Sequence, residues 1–230
     1  RAGLGLIAAL LALAVLSPGA WAHGIGGKDA AFVAASQGAQ IIPFIYLGAK
    51  HMVTGYDHLL FLFGVIFFLF RLRDVAIYVT CFAVGHSTTL LAGVLSGIHV
   101  NPYIVDALIG FSVVYKAFDN LDGFQTLFGF QPNTKAAVLG FGLIHGFGLA
   151  TKLQEFALST KGLIANMISF NVGVEIGQLI ALSIILLIMV PYRQTAVFMK
   201  QAVFANVLLM TAGFILAGYQ IAGYILGPIA

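Results

Sequence analysis

Residues 41–70 read IIPFIYLGAK HMVTGYDHLL FLFGVIFFLF, and this stretch decides the fold. It is long enough to cross a bilayer, which takes about 20 apolar residues. Yet it carries His51, Asp57 and His58 along its length, with Gly55 between the two histidines. In one unbroken helix, His51 and His58 would share a face but stand about 10 Å apart along the axis, too far to hold one ion together. A break at Gly55 removes that obstacle by folding His51 back toward Asp57 and His58. Discontinuous helices of this kind surround midplane sites in membrane transporters. The spacing Thr54-x-x-Asp57 also fits a capping box that starts the helix running on to Phe70.

The rest of the chain has the same character. Of its 230 residues, 60% are hydrophobic and 8% charged, with a mean hydropathy of +1.02. A soluble domain devotes about a quarter of its residues to charge, so the solvent of this one is largely lipid. Further apolar stretches run over 75–95, 103–118, 135–151, 162–190 and 203–226. Lipid-exposed backbone must satisfy its own hydrogen bonds, so each is expected to be helical, and continuous runs of this length exclude a transmembrane barrel. The expected fold is all-α, a polytopic bundle of six spans over residues 41–230. Residues 1–22 read as a secretory signal peptide, with an A-x-A site ending at Ala22, or as a retained seventh helix. Residues 23–40 then form an extracytoplasmic segment.

Charge sets the expected orientation. Arg71 and Arg73, Lys116 and Lys135, and Arg193 and Lys200 flank loops that fall on one side if every span crosses. Basic loops stay in the cytoplasm, so the chain is expected in a bacterial inner membrane with its C-terminus extracytoplasmic. The segment 119–132, DNLDGFQTLFGFQP, mixes phenylalanine with polar residues and reads as an inner interfacial anchor. The net charge of +3 is scattered through short connections and points to no nucleic-acid partner. The single cysteine, Cys81, excludes a disulfide framework or a Cys-rich zinc site. Gly24-Ile-Gly26-Gly27-Lys28-Asp29 lacks the glycine spacing and hydroxyl of a phosphate loop, and no ATPase motif appears.

Four spans bring ligand-type side chains to one depth. At about 1.5 Å per residue, His58 lies about 18 Å, His86 about 16 Å, His145 about 15 Å and Glu175 about 22 Å from the inner ends of their spans. A hydrocarbon core is about 30 Å thick. A carboxylate at its centre costs on the order of 3 kcal/mol, so such groups face the bundle interior and mark an ion or substrate path. Imidazole with carboxylate suits a first-row divalent metal, histidine favouring nickel, cobalt, zinc or copper over magnesium. The expected ligands are His51, Asp57, His58, His86, His145 and Glu175. Ser87, Asn171 and Gln178 are expected to orient them, Asn171, Glu175 and Gln178 sharing one helix face. Gly142 and Gly146 read as a G-x-x-x-G packing seam. Asp106 and His99 sit near the outer mouth.

These motifs resemble a known family. His51-x5-Asp57-His58, Gly85-His86-Ser87, His145-Gly146-Phe147-Gly148 and Phe170-Asn171-x-Gly173-x-Glu175 resemble the HupE/UreJ family of bacterial membrane proteins, over about residues 48–178 and more loosely to the end. The resemblance implies permeation of nickel, or cobalt, toward hydrogenases and ureases, with His51, Asp57, His58 and His145 binding the metal. One departure stands at Ala150, where the nickel-permease branch carries a glutamate; Glu175 is the expected substitute. The leading expectation is therefore a secondary permease and not an enzyme. Two other classes remain: an accessory subunit of a larger membrane metalloenzyme assembly, and an intramembrane zinc hydrolase.

Overall fold

The computed structural model describes residues 28–155 and 161–227, so the leader or first helix expected over 1–22 lies outside the described residues. The described residues are helical, without a strand among them. In chain order the helices are α1 (Lys28–Ala35), α2 (Ile41–Thr54), α3 (Tyr56–Ile66), α4 (Leu72–Ser96), α5 (Pro102–Asn120), α6 (Gly123–Phe128), α7 (Thr134–Gln154), α8 (Leu163–Arg193) and α9 (Phe198–Leu226). Four of them, α4, α7, α8 and α9, are long and apolar enough to cross a membrane on their own. The stretch 41–70, expected as one interrupted span, is divided between the shorter apolar helices α2 and α3.

Local chemistry explains the boundaries. Asn101 and Asn133 cap α5 and α7, each accepting from first-turn amides through its side-chain oxygen. Pro102 then opens α5, where its missing N–H is not needed. α4 ends at Gly97, which takes the left-handed conformation (φ 64°) of a glycine C-cap. The division between α2 and α3 falls at Gly55, where ψ is 99° against about −42° in a helix. The capping box expected at Thr54 does not form. The Thr54 hydroxyl donates to the Lys50 carbonyl one turn back, and Gly55 is the N-cap, with no side-chain cap bond.

Three helix pairs surround α3. The closest packing joins α4 to α7, α2 to α8, and α5 to α9. Each pair is seamed by glycines with no room for a side chain. A Cβ on Gly142 or Gly146 would strike the α4 backbone at Phe82 and His86, one on Gly48 or Gly173 would strike the facing backbone of the α2–α8 pair, and one on Gly110 would strike Ala217. Lipid tails are as apolar as leucine, so helices in a membrane associate through close packing of this kind. Nearly every side chain of α3 is buried, as expected for a helix apolar all round.

Because α3 is 11 residues long, about 16 Å, its last carbonyls end inside the protein and need partners. Arg193, at the end of α8, supplies them by donating to the carbonyls of Ile66, Phe67 and Leu69. Asn120 Nδ2 donates to the Gly64 carbonyl at 2.9 Å and is held in turn by Asn206. On the expected cytoplasmic side, α6 carries the exposed Leu127 and Phe128, with Phe130 beside it, which suits the interfacial anchor read from the sequence.

Candidate metal centre

The centre is built on the break at Gly55. His51 closes α2, while Asp57 and His58 open α3. The change in ψ turns a separation of about 10 Å in a straight helix into a contact, with the two imidazole rings 5.1 Å apart between centroids. Gly55 is required here for space. A Cβ would stand 2.8 Å from His58 Nδ1 and 3.3 Å from Asp57 Oδ1.

His58 is the hub. Its ring lies 5.8 Å from that of His86 on α4 and 5.0 Å from that of His145 on α7. His58 Nδ1 faces Asp57 Oδ1 at 3.2 Å. Two ligand sets result, His51–His58–His86 and Asp57–His58–His145, each with donor atoms within 4.8 Å of one another. Ligand atoms bonded to one ion at about 2.1 Å stand about 3–4 Å apart, so small side-chain rotations would close either set on an ion. All five side chains are buried, His58 and His86 completely.

Second contacts prepare the donors. His145 Nδ1 is 2.8 Å from the Phe141 carbonyl. A carbonyl only accepts, so the proton sits on Nδ1 and the Nε2 lone pair is left for a ligand, the arrangement typical of metal-binding histidine. Among the described residues, Nε2 of His145, both ring nitrogens of His86 and both amide atoms of Asn171 are buried without a hydrogen-bond partner. Buried polar groups are nearly always partnered, so this concentration of donors makes the cluster a candidate ligand site.

The close approach of α4 and α7 beside His86 and His145 follows from the glycine seam, since Gly146 lies against the His86 carbonyl. Thr89 locks it, its hydroxyl 2.6 Å from the Leu143 carbonyl across the pair. One turn from the three central histidines, toward the Arg71 end, stand Phe61, Phe82 and Phe141. Phe61 lies 5.3 Å from Phe82 and 5.8 Å from Phe141 between ring centroids. They form an aromatic floor beneath the imidazoles, and Phe82 also contacts His58, His86 and His145.

The other expected residues fall elsewhere. Glu175 does not join the cluster; its side chain is exposed, on the face that carries the exposed Ile168, Val172, Ile176 and Leu179. The reason is angular. At about 100° per residue, Glu175 sits about 40° beyond Asn171, just past the edge of the buried arc that holds Asn171, Val174 and Gln178. Asn171 is buried beside Phe170, whose ring contacts His51. Gln178 ties α8 to α4 through the Val79 carbonyl at 3.3 Å. Ser87 follows His86 on α4, its hydroxyl buried without a partner among the described residues. Asp106, read from sequence as a mouth residue, is buried in an ion pair with Lys152.

The description HupE / UreJ protein matches residues 27–227, nearly the whole chain. The chain belongs to the HupE/UreJ family. Comparison with curated proteins and with solved structures gave no match. The family match takes in every residue of the histidine cluster and begins at residue 27, ahead of the motifs that carry the resemblance.

Proposed function

We propose that this HupE/UreJ protein is a secondary permease that passes a divalent transition metal ion, nickel ahead of cobalt, into the cytoplasm across a bacterial inner membrane. In this reading α2 with α3, and α5, complete six crossings with the four long helices, and the C-terminus is extracytoplasmic. The observation that carries the proposal is the pair of ligand sets sharing His58, imidazole and carboxylate donors drawn from α2, α3, α4 and α7 into one buried cluster.

The chemistry suits such a cargo. Imidazole nitrogens favour nickel, cobalt, zinc and copper over magnesium or calcium. Asp57 adds one negative charge where a dication would sit. Two overlapping sets on one hub give alternative ligand shells, and an ion held by a shared, adjustable shell is easier to release than one in a closed tetrahedral cage. An inside-negative potential of 100 mV favours inward movement of a dication by about 4.6 kcal/mol, at about 2.3 kcal/mol per charge. The ion arrives from the side of Lys152, and the floor of Phe61, Phe82 and Phe141 parts to release it inward.

Uptake by intact cells tests this directly. With His58→Ala or His145→Ala, cobalt or nickel uptake falls to the level of cells without the protein, while the amount of protein in the membrane is unchanged. Normal uptake in both variants would refute the permease. A second reading, an accessory or metal-handling subunit of a larger membrane complex, is favoured by one observation: Glu175 stands exposed on an otherwise apolar face. A partner recovered in fixed stoichiometry, and lost with Glu175→Leu, would support it.

A further inference from the structure

Toward the Lys152 end of α7, above the histidines, stands a buried ion pair. Lys152 Nζ is 2.7 Å from Asp106 Oδ2, and the two side chains are 10% and 5% exposed. His145 and Lys152 are two turns apart on one face of α7. Gly148 lies between them, and a Cβ there would come within 3.7 Å of Asp106 Oδ1. The Asp106 carboxylate therefore sits about one turn above His145.

The pair is only half used. Asp106 Oδ1 is buried without a hydrogen-bond partner among the described residues. A pair that served only to clamp α5 to α7 would gain by filling that position, since buried ion pairs offset their desolvation only when the remaining lone pairs are satisfied. An arginine would engage both oxygens at once, whereas lysine is a compact point charge on a flexible stem that holds one. A single ammonium on one oxygen is the weaker and more exchangeable arrangement.

We propose that Lys152 is a tethered stand-in for the arriving metal ion, occupying Asp106 until a divalent cation bound for the histidine cluster displaces it. This rests on the reading of the cluster as a metal site. The exchange keeps the carboxylate neutralised before and after the ion arrives. It also sets a threshold, because an ion must compete with an internal cation before it reaches His58. A displaced Lys152 then repels the dication from behind, toward the histidines.

Cobalt(II) titration of the purified full-length protein in detergent tests the exchange at equilibrium. Lys152→Met removes the competitor and keeps its apolar stem, and is expected to tighten cobalt binding about tenfold or more. The double variant Asp106→Asn/Lys152→Met leaves a neutral pair and is expected to lose that gain. Lys152→Arg retains the charge, holds both oxygens, and is expected to weaken binding by a similar factor; it covers the case in which Lys152→Met does not fold. Wild-type affinity in both Lys152→Met and Lys152→Arg, or a double variant as tight as Lys152→Met, would overturn the proposal. The readout is binding, so a wild-type protein that binds cobalt but moves none across vesicles defeats the permease reading and leaves this inference standing.

Discussion

His86 shows most sharply what the centre costs the fold. Both of its ring nitrogens are buried without a hydrogen-bond partner among the described residues, and an unsatisfied buried polar group costs about 1–3 kcal/mol. A protein under no functional demand would place leucine there. His86→Leu is expected to raise the metal-free protein's stability by about 1 kcal/mol while weakening metal binding. The two effects have opposite signs, and a thermal melt with and without cobalt reads both. If His86→Leu is destabilised to the same degree with and without metal, its role is packing alone. At this scale the sequence was most informative where depth alone mattered. The near-equal heights of His58, His86 and His145 follow from counting along straight helices, and their rings meet. Glu175 has suitable depth but the wrong angle, and about 40° around α8 decides between core and outer face. The Asp106–Lys152 pair escaped sequence reading because its partners are 46 residues apart and both lie toward span ends, where charge is ordinarily solvated.

Among the elements, the α2–α3 break is the decisive device. The sequence located it at Gly55 from the need to bring His51 to His58, and the backbone turns at that residue. The physical requirement differs from the expectation of a capped restart, since φ is −74°, which any residue can adopt, and no side chain caps α3. What excludes other residues is the space that His58 and Asp57 occupy beside it. Gly55→Ala is therefore expected to keep the helices and disturb the donors. Metal affinity should fall about 10- to 100-fold, the range for changes that misorient ligands from behind, with helical circular dichroism unchanged. Wild-type affinity in Gly55→Ala would show that the close approach is not needed. The glycine seams behave differently. Gly142 and Gly146 were legible as a packing motif, but the Thr89 bond to Leu143 that fixes the α4–α7 register depends on a pairing that no local pattern announces.

The described residues form three seamed helix pairs around a short buried helix, and that plan gives the centre its position. Among the described residues, only the four long helices are evident as spans on length and apolarity. α2 and α3 divide one stretch between them, and α5 carries Asp106, Lys116 and Asp119 in its buried face, so simple hydropathy undercounts the elements on which the site depends. Along the expected route the layers follow one another: the Asp106–Lys152 pair, then the histidines with Asp57, then the phenylalanine floor. Membership of the HupE/UreJ family agrees with metal handling, but the specific claim is that one metal ion is held by imidazoles from separate helices. X-ray absorption of the nickel- or cobalt-loaded, full-length protein measures this most directly. The account predicts a first shell of nitrogen and oxygen with multiple scattering from several imidazoles, no sulfur from Cys81, and loss of the imidazole signal in His58→Ala. A shell of water and carboxylate oxygen alone, unchanged in His58→Ala, would contradict it.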